Sequence, residues 1–154
     1  KEMKQRGTRC QCIRCREVRG QKIKSSHVEM DELVYQVGAT EEHFISFVTP
    51  ENRLTGFLRL SLPGIDAPDT GLADLHQAAI IREVHVYGQS LQVGETSHGA
   101  AQHAGMGGQL IRRAEIVARA HGFRRLAVIS AVGTREYYLN RGFETGELYL
   151  VKNL

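Results

Sequence analysis

The sequence predicts an α/β fold, a mixed sheet flanked by helices, and three observations carry that expectation. Several β-rich runs separated by turn residues come first, an amphipathic helix follows a glycine-rich stretch, and a nearly continuous apolar run comes soon after that helix. Hairpin-type strands followed by alternating strand and helix are the pattern of a mixed α/β layer structure.

The elements follow in order. Val28 to Val37, with Leu33, Val34 and Tyr35, is expected to be a strand with an irregular start. His43 to Val48 is β-rich and stops at Pro50, and Leu54 to Leu62 is ended by Pro63-Gly64. Joined by Thr49 to Arg53, these two runs form an antiparallel hairpin. Ile65 to Leu75 holds Pro68, Gly71 and three aspartates and is a loop. Ala78 to Tyr87 is a long β run ended by Gly88, and Gln89 to Ala101 is a polar loop. Gly108 to His121 is the clearest helix, because Leu110, Ile111, Ala114, Val117 and Ala118 share one face at about 100° per residue. Ile116 falls on its polar side, and Gly122 stands where helices stop. Leu126 to Val132 is predicted to be a strand covered on both faces. Thr134 to Arg141 is a short helix ended by Gly142, and Glu147 to Lys152 is a last strand.

A chain of 154 residues suits one domain with a real core. No apolar run reaches the length of a membrane span, so a cytoplasmic protein without a membrane partner is the expectation. Charge is uneven. Residues 1–24 hold nine Lys/Arg against Glu2 and Glu17, while the remainder holds eleven basic and fifteen acidic residues. Such a front suits a polyanion or an acidic partner face, and equally a solvated terminus. The division expected is a basic, cysteine-rich linker over 1–27 and the folded domain over 28–154.

Cys10, Cys12 and Cys15 are the only cysteines, spaced C-x-C-x-x-C. An odd, tight group makes no disulfide framework. Three thiolates this close converge on a soft ion, zinc being the usual occupant, and leave one tetrahedral position for another ligand. His27 and His76 are both candidates for it. The spacing is not the C-x-x-x-C-x-x-C that holds a radical-SAM 4Fe-4S cluster.

The stretch that carries chemistry is Gln102-His103-Ala104-Gly105-Met106-Gly107-Gly108. Glycines let a backbone approach a ligand, and the helix start that follows aims N–H groups and partial positive charge at the same point. That combination binds phosphate oxygens. A Walker A loop would need Lys-Ser/Thr after the last glycine, where Gln109 stands, and a dinucleotide fingerprint would sit at the first strand–helix turn.

Gln102-x-x-Gly105-x-Gly107 resembles the pyrophosphate loop of the GNAT acetyltransferases. Tyr138-x-x-x-Gly142-Phe143 is similar to that family's C-terminal mark, whose tyrosine stands near the CoA sulfur. Ile81-Arg-Glu-Val-His-Val-Tyr-Gly88, Ala127-Val-Ile-Ser-Ala-Val-Gly-Thr-Arg135, Tyr149-Leu-Val-Lys152 and Arg9-Cys-Gln-Cys-Ile-Arg-Cys-Arg-Glu-Val18 narrow the resemblance to the acetyltransferase domain of the Elongator catalytic subunit. It implies acetyl-CoA as substrate, cradled by Gln102, His103, Gly105, Met106, Gly107 and Gly108 and lying along the strand at Val84 and Val86. It also implies zinc at the cysteines, tRNA as acceptor, and modification of the wobble uridine (U34) at C5. A radical-SAM domain of the same polypeptide, with its 4Fe-4S cluster and S-adenosylmethionine, is implied upstream and is not in this chain.

The resemblance makes Tyr138 the general acid for the leaving thiolate, with Tyr137 beside it. Glu83 and His85 alternate along a strand with Ile81 and Tyr87 and are the candidates for general base, although an arginine partner for Glu83 is equally compatible. Arg112 and Arg113 are candidates for CoA phosphates. Arg9, Arg14, Arg16 and Arg19 are the candidates for tRNA phosphates, giving salt-dependent and weakly selective affinity. Residues 89–101 form a long connection suited to gating the acetyl group until tRNA arrives. A protein lysine N-acetyltransferase and a non-catalytic zinc and RNA-binding module are the competing functions. Oligomeric state is left open, a homodimer included.

Overall fold

The computed structural model describes residues 2–18, 28–87 and 100–154, the side chains of Glu2, Lys4 and residues 100–104 excepted. Among these residues, seven strands make one sheet. They are β1 (Glu29–Val37), β2 (Thr40–Val48), β3 (Leu54–Pro63), β4 (Ala78–Val86), β5 (Arg125–Val128), β6 (Glu144–Thr145) and β7 (Leu150–Asn153). Their spatial order is β1-β2-β3-β4-β5-β7-β6, with β4 and β5 parallel and every other neighbour antiparallel. The helices are α1 (Glu2–Gln5), α2 (Ile13–Arg16), α3 (Ala100–Ala120) and α4 (Arg135–Leu139).

The first four strands form a meander whose tight turns follow from residues that accept a left-handed backbone. Gly38 (φ 58°) turns β1 into β2, and Asn52 (φ 61°) sits in the β2–β3 connection. The hairpin read from the sequence is present, with Val48 opposite Leu54 and Phe44 opposite Arg59. β2 begins at Thr40, three residues before the apolar run, because Glu41 and Glu42 pair with β1 and β3 despite their charge.

α3 covers one face of β2, β3 and β4. Its predicted stripe is buried throughout, with Leu110, Ile111, Ala114, Val117 and Ala118 at 5 % exposure or less, against Ile45, Leu58, Leu60, Ile81 and Leu126. Full burial of a leucine or isoleucine is worth about 1.5–3 kcal/mol, so Leu110 and Ile111 are the stripe's main apolar contribution to the fold. Ile116 lies off the stripe and is exposed. The helix ends in a Schellman motif at Gly122 (φ 84°), with Phe123 N–H donating to the Ala118 carbonyl and Gly122 N–H to that of Arg119.

Three boundaries differ from the sequence reading. α3 starts at Ala100, so Gln102 to Gly108 lie inside it and not in a loop before it. Ala100, Ala101, Gln102 and Ala104 are good helix formers and outweigh the glycines that follow. β5 stops at Val128, opposite the first residue of β7, Leu150, and β4 runs on past it. Ile129 and Val132 are consequently exposed. The last strand is Leu150–Asn153, since Gly146 to Tyr149 are spent on a turn back to β6.

The front segment is tied down at its end. Val18 N–H donates to the Leu54 carbonyl (3.2 Å), Arg53 donates to the Glu17 carbonyl (2.5 Å), and Val18 is buried. No helix among the described residues is long and apolar enough to cross a membrane.

Candidate active site and metal ligands

β4 and β5 are paired only over Ala78–Ile81 and Arg125–Val128. Beyond that point β5 has ended while Arg82–Val86 of β4 runs on, still paired with β3 on its other side. One edge of β4 therefore presents backbone N–H and C=O groups without a strand partner among the described residues. Such an edge can pair with an extended, amide-bearing ligand.

A bulge shapes this edge. Arg59 pairs with Glu83 but Leu60 with Ile81, so Arg82 has no opposite residue. Directly opposite residues share a face. Ile81 thus lies with Leu60 on the α3 face, together with Val84 opposite Leu58 and Val86 opposite Gly56. Glu83 and His85 lie on the other face with Arg59 and Phe57, so Ile81 does not share their face as strict alternation predicts. The Glu83 carboxylate pairs with Arg59 (2.5 Å) and approaches His85 Nε2 (3.3 Å), and the His85 ring stacks on Phe57. Glu83 is thus engaged in the arginine pair that the sequence left as its alternative role.

Gly107 faces Val86, on the part of β4 that runs on past the end of β5. A side chain at Gly107 would collide with the Tyr137 hydroxyl and touch Val86 (3.7 Å), so glycine here lets α3 and α4 close on each other. Gly108 is faced by Arg112 and by Arg141, whose side-chain nitrogens lie 3.7–3.9 Å from where a Cβ would be. The Arg141 guanidinium stacks 3.5 Å over the Tyr137 ring and donates to the Tyr137 carbonyl (2.7 Å). Gly142 (φ 81°) turns the chain after α4, its N–H donating to the Leu139 carbonyl. Met106 is buried beneath, 3.9 Å from the Thr55 hydroxyl. Because α3 starts at Ala100, the free first-turn N–H groups belong to residues 100–103, the backbone of Gln102 and His103 included, and not to Gly105–Gly108.

The structure separates the two tyrosines. Tyr137 reaches Gly107, whereas Tyr138 is 7 % exposed and packs edge-on against Tyr137 and Phe143. Burial pushes the Tyr138 phenol above its ordinary pKa, aided by Tyr137 and opposed by Arg141, which keeps it protonated. Arg113 is not at this site. It is bound to Glu32 on β1 (2.6 and 2.9 Å). Arg141 was missed in the sequence because nothing marks it beyond its place inside the Tyr-x-x-x-Gly-Phe stretch.

Asp74 was missed too. It is buried in the loop before β4 and accepts the Leu148 and Tyr149 N–H groups (2.8 and 3.0 Å), which hold its carboxyl below the ordinary value. Gly146 leaves room for it. This clamp fixes the turn between β6 and β7.

The Sγ atoms of Cys10, Cys12 and Cys15 lie within 4.8 Å of one another, all exposed. A hydrogen bond from Cys10 lowers the Cys12 pKa, with Cys15 adding to it, while the bond to Cys12 pushes Cys15 up to about 11. Three soft sulfur donors this close together form a donor set that fits zinc. His76 is not part of this group and lines a separate cavity of about 700 Å³ near Phe123 and Arg125. His27 and Arg19 lie outside the described residues, as do residues 89–99 of the expected gating connection. Arg9 and Arg14 are exposed. Arg16 is turned onto the β2–β3 connection, where it donates to the Asn52 carbonyl (3.1 Å) and side chain, so it serves docking.

A mixed sheet that parts between two parallel central strands under a glycine-bearing helix is the GNAT acetyltransferase type of fold. No family model matches the chain. It is 37% identical over 99% of its length to the tRNA uridine(34) acetyltransferase of Dehalococcoides mccartyi, and 40% identical over 99% to Elongator complex protein 3 of Danio rerio. It spans 34% and 28% of those relatives' lengths. Among solved structures, Methanocaldococcus infernus Elp3 lacking its N-terminus matches 99% of the chain at 31% identity with a TM-score of 0.78, over 37% of that structure. Over 99% of its length the chain is homologous to one part of Elongator complex protein 3 and of the tRNA uridine(34) acetyltransferase.

Proposed function

We propose that this chain binds and cleaves acetyl-CoA within a cytoplasmic enzyme that modifies C5 of the tRNA wobble uridine, and that tRNA triggers the cleavage. The observation that carries this reading is the convergence of Tyr137, Arg112 and Arg141 on Gly107 and Gly108, beside the open edge of β4. Arg112 and Arg141 supply positive charge for phosphates, and the β4 edge supplies amides for the pantetheine chain. In thioester cleavage, water oxygen bonds to the acetyl carbon, the C–S bond breaks, and the sulfur takes a proton. Tyr138, kept protonated by burial, supplies that proton and is restored by the water. Tyr137 positions the thioester against Gly107. The names of the relatives support uridine 34 of tRNA as the acceptor, and the exposed Arg9 and Arg14 are the candidates for its phosphates.

The test is free CoA release from acetyl-CoA by the chain alone, with tRNA, and with a lysine-rich peptide. Release is expected to rise with tRNA, to lose kcat in Tyr138→Phe and to gain KM in Tyr137→Phe. Release that requires the peptide and leaves acetylated lysine would replace this reading with a protein acetyltransferase.

A further inference from the structure

Away from the cysteines and the glycines, the chain holds a second group of ligating side chains. Glu41 and His43 of β2 and His121, which caps the end of α3, bring Glu41 Oε1, His43 Nε2 and His121 Nε2 within 4.8 Å of one another. Both nitrogens approach the same oxygen, at 2.9 and 3.0 Å. The two rings meet nearly at right angles (79°), with centroids 5.6 Å apart. His43 is 4 % exposed and His121 lies at the mouth of a surface cavity that also includes Val34, Ile116 and Ala120.

The distal ring nitrogens decide what this group can hold. His121 Nδ1 lies 2.8 Å from the Val117 carbonyl, which only accepts, so that nitrogen carries the hydrogen. His43 Nδ1 lies 2.6 Å from Glu32 Oε1, and Glu32 is itself gripped by Arg113 through two nitrogens. An imidazole with one proton has only one N–H. With both Nδ1 atoms donating outward, both Nε2 atoms present lone pairs to a carboxylate oxygen that also brings only lone pairs. Three electron-pair donors then face one point. Ligating histidines in metal sites are oriented in this way, the far N–H held by a carboxylate or a backbone carbonyl. His121 also stands at the helix C-terminus, where the dipole favours a cation.

We propose that Glu41, His43 and His121 bind a divalent transition ion of borderline softness, zinc in the first place, at a site separate from the three cysteines. Two imidazoles and one carboxylate are a zinc donor set with a fourth position left for water. Tetrahedral bonds of about 2.0–2.1 Å separate neighbouring ligand atoms by about 3.3 Å, so ion entry parts the present 2.9–3.0 Å contacts by a few tenths of an ångström. The ion would pin the β1–β2 hairpin to the end of α3. Thirteen residues of helix, about 20 Å, separate His121 from Gly108, so its role is to hold the scaffold and not to touch the thioester.

The experiment is calorimetric titration of the metal-stripped chain with zinc chloride, paired with thermal melts and with cobalt(II) spectra. The intact chain is expected to take two equivalents. Cys12→Ser is expected to lose one and keep the other, while His121→Ala and Glu41→Gln lose the second and keep the thiolate-bound one. In Cys12→Ser, cobalt(II) should give tetrahedral d–d bands without thiolate charge transfer, and zinc should raise Tm. His121→Ala is the decisive variant because His121 is half-exposed at a helix end, where truncation leaves the fold intact. A single equivalent that Cys12→Ser abolishes, or a second that survives His121→Ala, would overturn the proposal and leave the group a histidine–carboxylate hydrogen-bond network.

Discussion

Replacing Gly107 by alanine tests the closest approach in the candidate active site. The new methyl group would fall on the Tyr137 hydroxyl and lie 3.7 Å from Val86. Overpacking costs about 1–3 kcal/mol, and the lower end applies because the obstacle is the far end of one side chain. Alanine inside a helix gains about 0.5–1 kcal/mol over glycine. The two terms nearly cancel, so Gly107→Ala should shift Tm by no more than about 2–4 °C. The site responds differently, because Tyr137 must leave Gly107 and its stack with Arg141, and acetyl-CoA should bind at least about tenfold more weakly (about 1.4 kcal/mol). Urea unfolding of Gly107→Ala, Tyr137→Ala and the double variant separates the terms. With Tyr137 already removed, the alanine should stabilise by its full helix contribution, giving a coupling of about 1 kcal/mol. No coupling would refute the contact on which the site rests.

Three further outcomes follow from the same geometry. Asp74→Ala leaves the Leu148 and Tyr149 N–H groups without their acceptor and should cost about 1–3 kcal/mol by urea unfolding at neutral pH. Because the folded Asp74 pKa is depressed, its contribution is complete above the ordinary aspartate value of about 3.9 and is lost as pH falls through the folded value. The wild-type and variant stabilities should therefore converge in acid, and a pH-independent gap would contradict the clamp. Arg9→Ala and Arg14→Ala should weaken tRNA binding alike across sequences and reduce its salt slope by about one each, whereas Arg16→Ala should lower stability with little change in slope. Cys12→Ser should remove one bound zinc by dialysis and elemental analysis without unfolding residues 28–154, since the segment docks through Glu17 and Val18.

Much of the sheet and helix was legible because the residues repeat with a clear period. The α3 stripe and the β2–β3 hairpin each sit where apolar spacing and turn residues put them. The failures have physical causes of the opposite kind. A strand's alternation breaks at the Arg82 bulge, which depends on pairing with β3 and leaves no mark in the letters. Glycines read as a loop were absorbed into α3 because neighbouring alanines and tertiary packing outweigh their local cost. Ile129 and Val132 are apolar, yet β5 ends at Val128 and leaves both exposed. At the site, Gly107 and Tyr137 stood out as motif letters, but Arg141, Asp74 and the Glu41–His43–His121 group are made by contacts between distant segments.

The central claim is where acetyl-CoA binds, and an amide NMR titration of the chain with CoA tests it most directly. Shifts are expected to gather at Arg82–Val86, Gly105–Gly108 and Tyr137–Arg141. Shifts gathered instead around His76, Phe123 and Arg125, at the cavity by the C-terminal end of α3, would contradict it.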